Sequence, residues 1–147
     1  MLQRIGKRNL KEEPITREEA CFILELPHQA LPELLKVSSS RREANKGNRV
    51  KLCSIINAKS GACPEDCAFC SQSSHHNSEI STYALVEPEE ILDRAILAQK
   101  MGAREFSIVT SGFSLDSDKE LRDIALAIEM IREKTGLEVC ASLGKIP

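Results

Sequence analysis

Residues 50–70 read VKLCSIINAKSGACPEDCAFC, and this stretch decides the fold because it joins a predicted strand to three closely spaced cysteines. The run 50–58 is short, apolar and rich in β-branched residues, which predicts a buried parallel strand. The strand leads directly into a loop that carries Cys63, Cys67 and Cys70. Ligands of α/β folds bind at the carboxyl ends of parallel strands, so this loop is the candidate site.

The CxxxCxxC spacing offers three thiolates where a closed metal site needs four. Three thiolates on a four-iron cluster leave one iron open, and an open iron can bind amino and carboxylate groups. A zinc site completed by His75 or His76 is an alternative, although zinc sites usually pair cysteines at CxxC spacing. The two histidines lie in the polar stretch SQSSHHNSE, which favours solvated surface positions for them.

Composition excludes several classes of protein. The chain has 147 residues with 41% hydrophobic and 29% charged, which is typical of one ordinary globular domain. A net charge of −2 and 3% aromatic residues disfavour nucleic-acid binding. No apolar run is long enough to cross a membrane, and the N-terminal MLQRIGKRNLKEEP lacks the apolar core of a secretory signal. We therefore expect a cytoplasmic protein whose six cysteines stay reduced, and whose three clustered thiols act as metal ligands rather than as parts of disulfides.

Residues 1–46 are predicted to form a helical N-terminal segment. Thr16 and Glu19 form a capping box at the start of one helix, and Pro27 ends it. Within that helix Cys21 is predicted to be a buried apolar thiol. A second amphipathic helix is predicted from about residue 30, with three core-facing leucines: Leu31, Leu34 and Leu35.

Residues 47–147 alternate between strand and helix patterns. A helix is predicted from Pro88 to a stop at Gly102, and a second one from a capping box of Ser117 and Glu120 to a stop at Gly136. Strands are predicted over 105–111 and 137–144. The core-facing positions of the two helices are Ile91, Ala95, Ala98 and Met101, and Leu121, Ile124, Ala125, Ile128 and Ile131.

This alternation predicts an α/β fold made of right-handed parallel β/α units, whose strands are apolar enough to be covered on both faces. A closed (β/α)8 barrel of the TIM type typically needs about 250 residues. We therefore expect residues 47–147 to be the first three β/α units of such a barrel, and the chain to be a fragment of a longer protein.

The phrase INAKSGACPEDCAFCSQSSHH, with an aromatic residue before the last cysteine, resembles the radical S-adenosylmethionine enzymes and, among them, the biotin synthase family. EFSIVTSGF and LEVCASLG resemble the second and third barrel strands of that family, and the resemblance covers residues 15–147. It implies that Cys63, Cys67 and Cys70 hold a 4Fe-4S cluster whose open iron binds S-adenosyl-L-methionine. One electron, from a donor such as flavodoxin or ferredoxin, would then release a 5′-deoxyadenosyl radical.

The resemblance further implies a sulfurtransferase of biotin biosynthesis, which inserts sulfur into dethiobiotin to form biotin and is a homodimer when complete. No side chain is assigned as a catalytic acid or base, since the cofactors carry the reaction. We expect no turnover from these 147 residues alone. Two other classes remain: another radical S-adenosylmethionine enzyme, of the hydrogenase-maturation type, and a non-catalytic metal-binding module.

For S-adenosylmethionine, the resemblance implies that Phe69 lies beside the adenine, although a hydrophobic plug under the loop is an equal alternative. It also implies that the backbone of Thr110, Ser111 and Gly112 meets the methionine moiety.

The family draws its sulfur from a second iron–sulfur cluster, of the 2Fe-2S type, held by cysteines on strands two, three and five and an arginine on strand eight. Cys140 matches the strand-three ligand, but Ser107 stands at the strand-two position, and an alcohol is a poorer ligand for such clusters than a thiolate. Our hypothesis is that Cys53, on strand one, helps Cys140 to hold an altered second cluster. The alternative is that Cys53 is only a small buried core residue.

Overall fold

The computed structural model describes residues 1–9, 13–115 and 117–145. The chain divides into two units, Met1–Val50 and Lys51–Pro147. Among the described residues, no helix is both long enough and apolar enough to cross a membrane.

The first unit is helical. Thr16 caps its second helix: the Glu19 amide donates to Thr16 Oγ1 at 3.3 Å, and the Thr16 amide donates to Glu19 Oε2 at 3.0 Å. This reciprocal pair confirms the predicted capping box. The helices of the unit are α1 (Leu2–Asn9), α2 (Arg17–Leu24) and α3 (Leu31–Lys46), with a 3-10 turn at His28–Ala30 before α3.

Two predictions for the first unit are wrong. Cys21 is exposed rather than buried, because the inward side of α2 is the side of Glu19, and two residues along a helix lead to its opposite side. Likewise α3 buries none of its residues, and Leu31 and Leu35 are about half exposed. Periodicity identified the apolar side of α3 but not whether another element covers it.

The second unit is a three-stranded parallel sheet in the order β1-β2-β3, with a helix after each of the first two strands. This arrangement confirms the predicted α/β class and is consistent with the first β/α units of a barrel. Strands β1 and β3 are shorter than predicted. The elements are β1 (Cys53–Lys59), α4 (Pro88–Lys100), β2 (Glu105–Thr110), α5 (Asp118–Lys134) and β3 (Glu138–Ser142).

The hydrophobic core lies between one face of this sheet and the helices α4 and α5. Most of the predicted helix stripes are confirmed, but Met101 and Leu121 are exposed, at 76% and 43%. Met101 follows the last residue of α4, and Ala127 rather than Ala125 continues the buried side of α5. The fully buried core side chains include Ile91, Ala95, Phe106, Ile108, Ile124, Ala127 and Ile131.

The other face of the sheet is open within the described residues, so the prediction that both faces are covered is wrong there. Alternate residues of each strand lie on it, among them Ile55 at 65% exposure and the exposed Cys140. The register places Ser107 between Ile55 and Cys140 in one row across the sheet.

A bulge ends the regular pairing of β1 with β2. Asn57 pairs with Val109, and the next paired residues are Lys59 and Thr110, so Ala58 is the extra residue of β1. Strict alternation would put Lys59 on the open face with Asn57. The bulge instead puts it on the same side as Thr110, which follows the buried Phe106 and Ile108 in alternation.

Candidate metal centre

The loop that carries the three cysteines begins just after β1, as predicted; it is called the cysteine loop (residues 61–71) below. Gly61 lies in the left-handed region at φ +76°, and a side chain there would collide with Thr82. Ala62 follows at φ +51° and turns the chain toward Cys63. At the base, the Ser60 amide donates to Tyr83 O at 3.1 Å and the Tyr83 amide donates to Ser60 O at 3.0 Å, so the excursion between them is closed.

Residues 72–76 (QSSHH), called the backing segment, run along the cysteine loop and bind its backbone. The Cys63 amide donates to Gln72 O at 3.1 Å, and the Ser74 amide donates to Cys63 O at 2.8 Å. The Gln72 side-chain oxygen accepts from the Gly61 amide at 2.5 Å and from Ser60 Oγ at 3.2 Å. These bonds hold the first cysteine in place at the carboxyl end of β1.

The three thiols are all free, and their exposure increases from the base of the loop outward. Cys63 is buried at 8% exposure, Cys70 is intermediate and Cys67 is exposed. Across the described ranges, no three His, Cys, Asp or Glu side chains are grouped as ligands of one ion, so no preformed zinc site is present there.

An iron–sulfur cluster poses a different requirement. Each protein thiolate of a 4Fe-4S cluster binds a different iron, so its ligands need not converge on one point. Three free thiols on one hydrogen-bonded loop supply the soft donors that such clusters prefer. The residues present therefore fit this group.

The structure places the residues predicted to contact S-adenosylmethionine on two loops. Phe69 is 97% exposed, so it is not a hydrophobic plug under the cysteine loop. Gly112 lies at φ +111°, a conformation that glycine adopts without strain. The Ser111 amide already donates to Lys59 O at 2.9 Å, and Ser111 Oγ donates to Gly61 O at 2.8 Å. Ser111 thus joins the ends of β1 and β2.

Thr110 carries an unsatisfied polar atom. Its Oγ1 is buried and has no hydrogen-bond partner among the described residues, which is unusual for a buried hydroxyl. Because Thr110 follows the helix-covered side of β2, this hydroxyl lies away from the open face of the sheet.

Three residues were predicted for a second cluster, and all of them lie on the open face. Ser107 and Cys140 are direct neighbours in the register of β2 and β3. Cys53 pairs with Glu105 instead, one row nearer the amino ends of the strands. Two strand spacings and two residues of rise separate Cys53 from Cys140, which is about 12 Å between Cα atoms. That separation is too long for a disulfide, whose Cα atoms lie within about 7 Å.

Sequence reasoning missed the contacts of two groups near the loop. The first is an ion pair between Lys59 and Glu120: Lys59 Nζ lies 2.9 Å and 3.1 Å from the two carboxylate oxygens, and both side chains are mostly buried. Glu120 was predicted to complete a capping box with Ser117. Ser117 Oγ does accept from the Glu120 amide at 3.2 Å, but the carboxylate binds Lys59. The bulge in β1 puts Lys59 on the side of Glu120, and no residue type in the sequence predicts that bulge.

The second group is the pair of histidines, for which the polar stretch around them favoured solvated surface positions. His75 Nε2 lies 2.9 Å from Pro64 O, and His76 Nε2 lies 2.9 Å from Cys67 O. Both rings therefore bind the backbone of the cysteine loop. Their position directly after the cysteines in the chain was the only available signal.

Comparisons with known proteins identify the family of the chain. Residues 58–145, more than half of the chain, match the family model of the Radical SAM superfamily. The biotin synthase of Nitratidesulfovibrio vulgaris is 44% identical over 139 residues, which are 95% of this chain and 38% of that protein. The biotin synthase of Pelotomaculum thermopropionicum is 46% identical over 132 residues, 90% of this chain and 41% of that protein.

The biotin synthase of Clostridium acetobutylicum is 41% identical over 143 residues, 97% of this chain and 44% of that protein. The chain thus spans about two-fifths of the length of the curated relatives it matches. These findings confirm the predicted resemblance. With its three cysteines in a loop at the carboxyl end of a parallel strand, the chain belongs to the radical SAM superfamily, a family of enzymes.

Proposed function

We propose that this chain supplies the cofactor-binding loop and the first β/α units of a biotin synthase, which inserts sulfur into dethiobiotin. The observation that carries the proposal is the CxxxCxxC loop after β1, in a chain that is 39 to 47% identical to proteins named biotin synthase. Superfamily membership implies a 4Fe-4S cluster and S-adenosylmethionine. The finer assignment, of substrate and reaction, rests on the named relatives.

In this proposal Cys63, Cys67 and Cys70 hold the 4Fe-4S cluster. With S-adenosylmethionine bound, that cluster supplies an organic radical that removes hydrogen from a saturated carbon, which no side-chain acid or base can do. The exposed ring of Phe69 offers a stacking surface for the adenine. Gly112 and the carbonyl of Ser111 offer backbone to the methionine moiety, because the Ser111 amide already has its partner.

The proposal includes a second iron–sulfur cluster on the open face. Cys140 and Cys53 are its thiolate ligands from this chain, and Ser107 occupies the position between strand one and Cys140. A separation of about 12 Å between their Cα atoms is long for one metal ion but suits two ligands on opposite sides of a cluster. The exposure of both thiols on that face supports their availability.

The remaining parts of the proposal follow from the chemistry. A one-electron donor of the flavodoxin or ferredoxin type must reduce the cluster, and a reducing compartment such as the cytosol keeps the thiols free. The complete protein would act as a homodimer, by analogy with the family.

The main test is anaerobic reconstitution of the protein with iron and sulfide. We expect about four irons per chain from the first cluster, the number set by its composition, and a change in its electron paramagnetic resonance spectrum when S-adenosylmethionine is added. Replacing Cys63, Cys67 or Cys70 by Ala should remove both signals. Cys21→Ala is the matched control, because Cys21 is a free thiol outside the loop.

Stoichiometric zinc with no response to S-adenosylmethionine would contradict the proposal. A response to S-adenosylmethionine that dethiobiotin leaves unaltered would instead favour a different radical S-adenosylmethionine enzyme.

A further inference from the structure

Most backbone carbonyls in the first part of the cysteine loop face the backing segment. Of the five carbonyls from Cys63 to Cys67, four accept a hydrogen bond from the backing segment. The donors are the Ser74 amide for Cys63 O, His75 Nε2 for Pro64 O, Ser73 Oγ for Glu65 O, and His76 Nε2 for Cys67 O.

The amides in the middle of the same loop have no such partners, whereas the Cys63 amide donates to Gln72 O and the Cys70 amide to Cys67 O. Those of residues 65–69 donate to no acceptor in the part of the chain that the structure describes. In a trans peptide the N–H points opposite to the preceding C=O. Because the carbonyls of Pro64, Glu65 and Cys67 turn toward the backing segment, the next amide in each case turns away from it.

The two histidines bind loop carbonyls through their imidazole rings. A carbonyl oxygen has no hydrogen to give, so Nε2 carries the hydrogen in both rings. His75 binds the carbonyl that follows Cys63, and His76 binds the carbonyl of Cys67 itself. Each ring therefore helps to orient a peptide group that is next to, or part of, a predicted cluster ligand, and the Cys70 amide, which donates to Cys67 O at 3.0 Å, shares that role with His76.

The backing segment is itself well held. Ser73 is 4% exposed, its Oγ donates to Glu65 O at 2.6 Å, and the same oxygen accepts from the His75 amide at 3.2 Å. The histidines thus extend from a fixed backbone rather than from a free surface stretch.

We infer that His75 and His76 are positioning residues, which hold the carbonyls of the cysteine loop away so that its free amides face the iron–sulfur cluster. This inference rests on the proposed function for the identity of the cluster. Amide hydrogen bonds to the sulfurs of a cluster stabilise its reduced, more negative form and raise its reduction potential. Loss of the two imidazole bonds should therefore lower that potential.

The experiment compares His75→Ala, His76→Ala and the double variant with the parent protein. His75→Gln and His76→Gln are the conservative variants, because a Gln amide can still donate. His28→Ala is the matched control, since His28 is the one other histidine in the sequence and belongs to the first unit.

The first readout is hydrogen exchange in the metal-free protein, at the Ser74 amide that binds Cys63 O. Each Ala replacement should speed exchange about fivefold, the effect of one lost hydrogen bond of ordinary strength. The Gln variants and His28→Ala should exchange at the parent rate. Parent-like exchange in the double Ala variant would overturn the inference.

The second readout is the reduction potential of the reconstituted cluster, which should become more negative in the Ala variants and return toward the parent value in the Gln variants. An unchanged potential with faster exchange would reduce the histidines to a purely structural role and overturn the inference. Should the parent protein bind no iron–sulfur cluster, the proposed function fails, whereas the exchange readout still decides whether the histidines order the loop.

Discussion

The proposed role of Cys53 as a ligand of the second cluster can be tested by substitution. It is exposed on the same face as Cys140, beside Glu105 in the register and not in the row of Ser107. If Cys53 is a ligand of the second cluster, Cys53→Ser should lower the iron bound beyond the first cluster and leave the response to S-adenosylmethionine intact. Iron and sulfide analysis after reconstitution measures the first effect.

Cys21→Ser is the control for that prediction, because it removes another exposed thiol, from the other unit. Full iron content in Cys53→Ser, equal to that of the control, would return Cys53 to the role of an ordinary strand residue.

At the residue scale, position relative to a strand end was predictable and burial was not. Cys63, Cys67 and Cys70 follow β1 as expected because the apolar run and the turn at Gly61 are both local features. Cys21 and Met101 were expected to be buried and are exposed. Burial depends on which element covers a side chain, and a one-dimensional pattern does not contain that.

Among the elements, the end of β1 and the start of α5 are joined by Lys59 and Glu120, with side chains 13% and 17% exposed. Lys59→Met would leave a mostly buried carboxylate without its ammonium, which we expect to lower the free energy of unfolding by about 1–3 kcal/mol. Adding Glu120→Gln should recover part of that loss. Urea denaturation of both single variants and the double variant measures the coupling.

Lys119→Met is the matched control. Lys119 lies on α5, the helix of Glu120, and its Nζ binds Asp123 Oδ2 at 2.6 Å, but its side chain is 70% exposed. This hydrogen bond raises the pKa of Lys119 above its ordinary value near 10.5. The stabilisation is therefore complete below that value, is lost as the pH rises through the raised pKa, and is intact at neutral pH. A larger loss of stability in Lys119→Met than in Lys59→Met would contradict the prediction.

Helix boundaries were predicted more accurately than strand boundaries, for a physical reason. A cap is a local hydrogen bond, so Thr16 and Ser117 identified the starts of α2 and α5 correctly. A strand ends where its neighbour stops pairing, and for that reason β1 begins at Cys53 rather than at residue 50. The bulge at Ala58 depends on the same pairing and had no signal of its own.

At the scale of the whole molecule, the exposed residues between the two units are a predicted site of proteolysis. Residues 47–52 are all exposed and lie between α3 and β1 without regular structure. Brief treatment with trypsin should therefore cut first after Arg49, among the sites in the described residues, and yield fragments 1–49 and 50–147. Mass spectrometry of the first products identifies the cut.

Lys59 provides an internal comparison for this prediction, because it is a potential site of trypsin held in a strand and an ion pair. Early cleavage there, or within α4 or α5, would show that the second unit opens before the connecting residues are cut.

The sequence predicted the α/β class of the fold, but it did not predict which faces of the sheet are covered. Alternating strand and helix patterns identified parallel β/α units, because each pattern is set by local periodicity. The apolar strands also led to the expectation of two covered faces, yet Ile55 and Cys140 lie on an open one. Apolar strands indicate what a sheet is able to bury, and the surrounding elements decide what it does bury.

The closed base of the cysteine loop has a consequence for how sequences of this kind can diverge. The paired amides and carbonyls of Ser60 and Tyr83 tie the two ends of the excursion together, and the Val86 amide donates to Ala58 O at 2.9 Å just beyond. An insertion or deletion between positions 60 and 83 would change the excursion without shifting β1 or the start of α4. Both ends of the excursion are thus fixed at the sheet, and the length between them can vary while the strands keep their register.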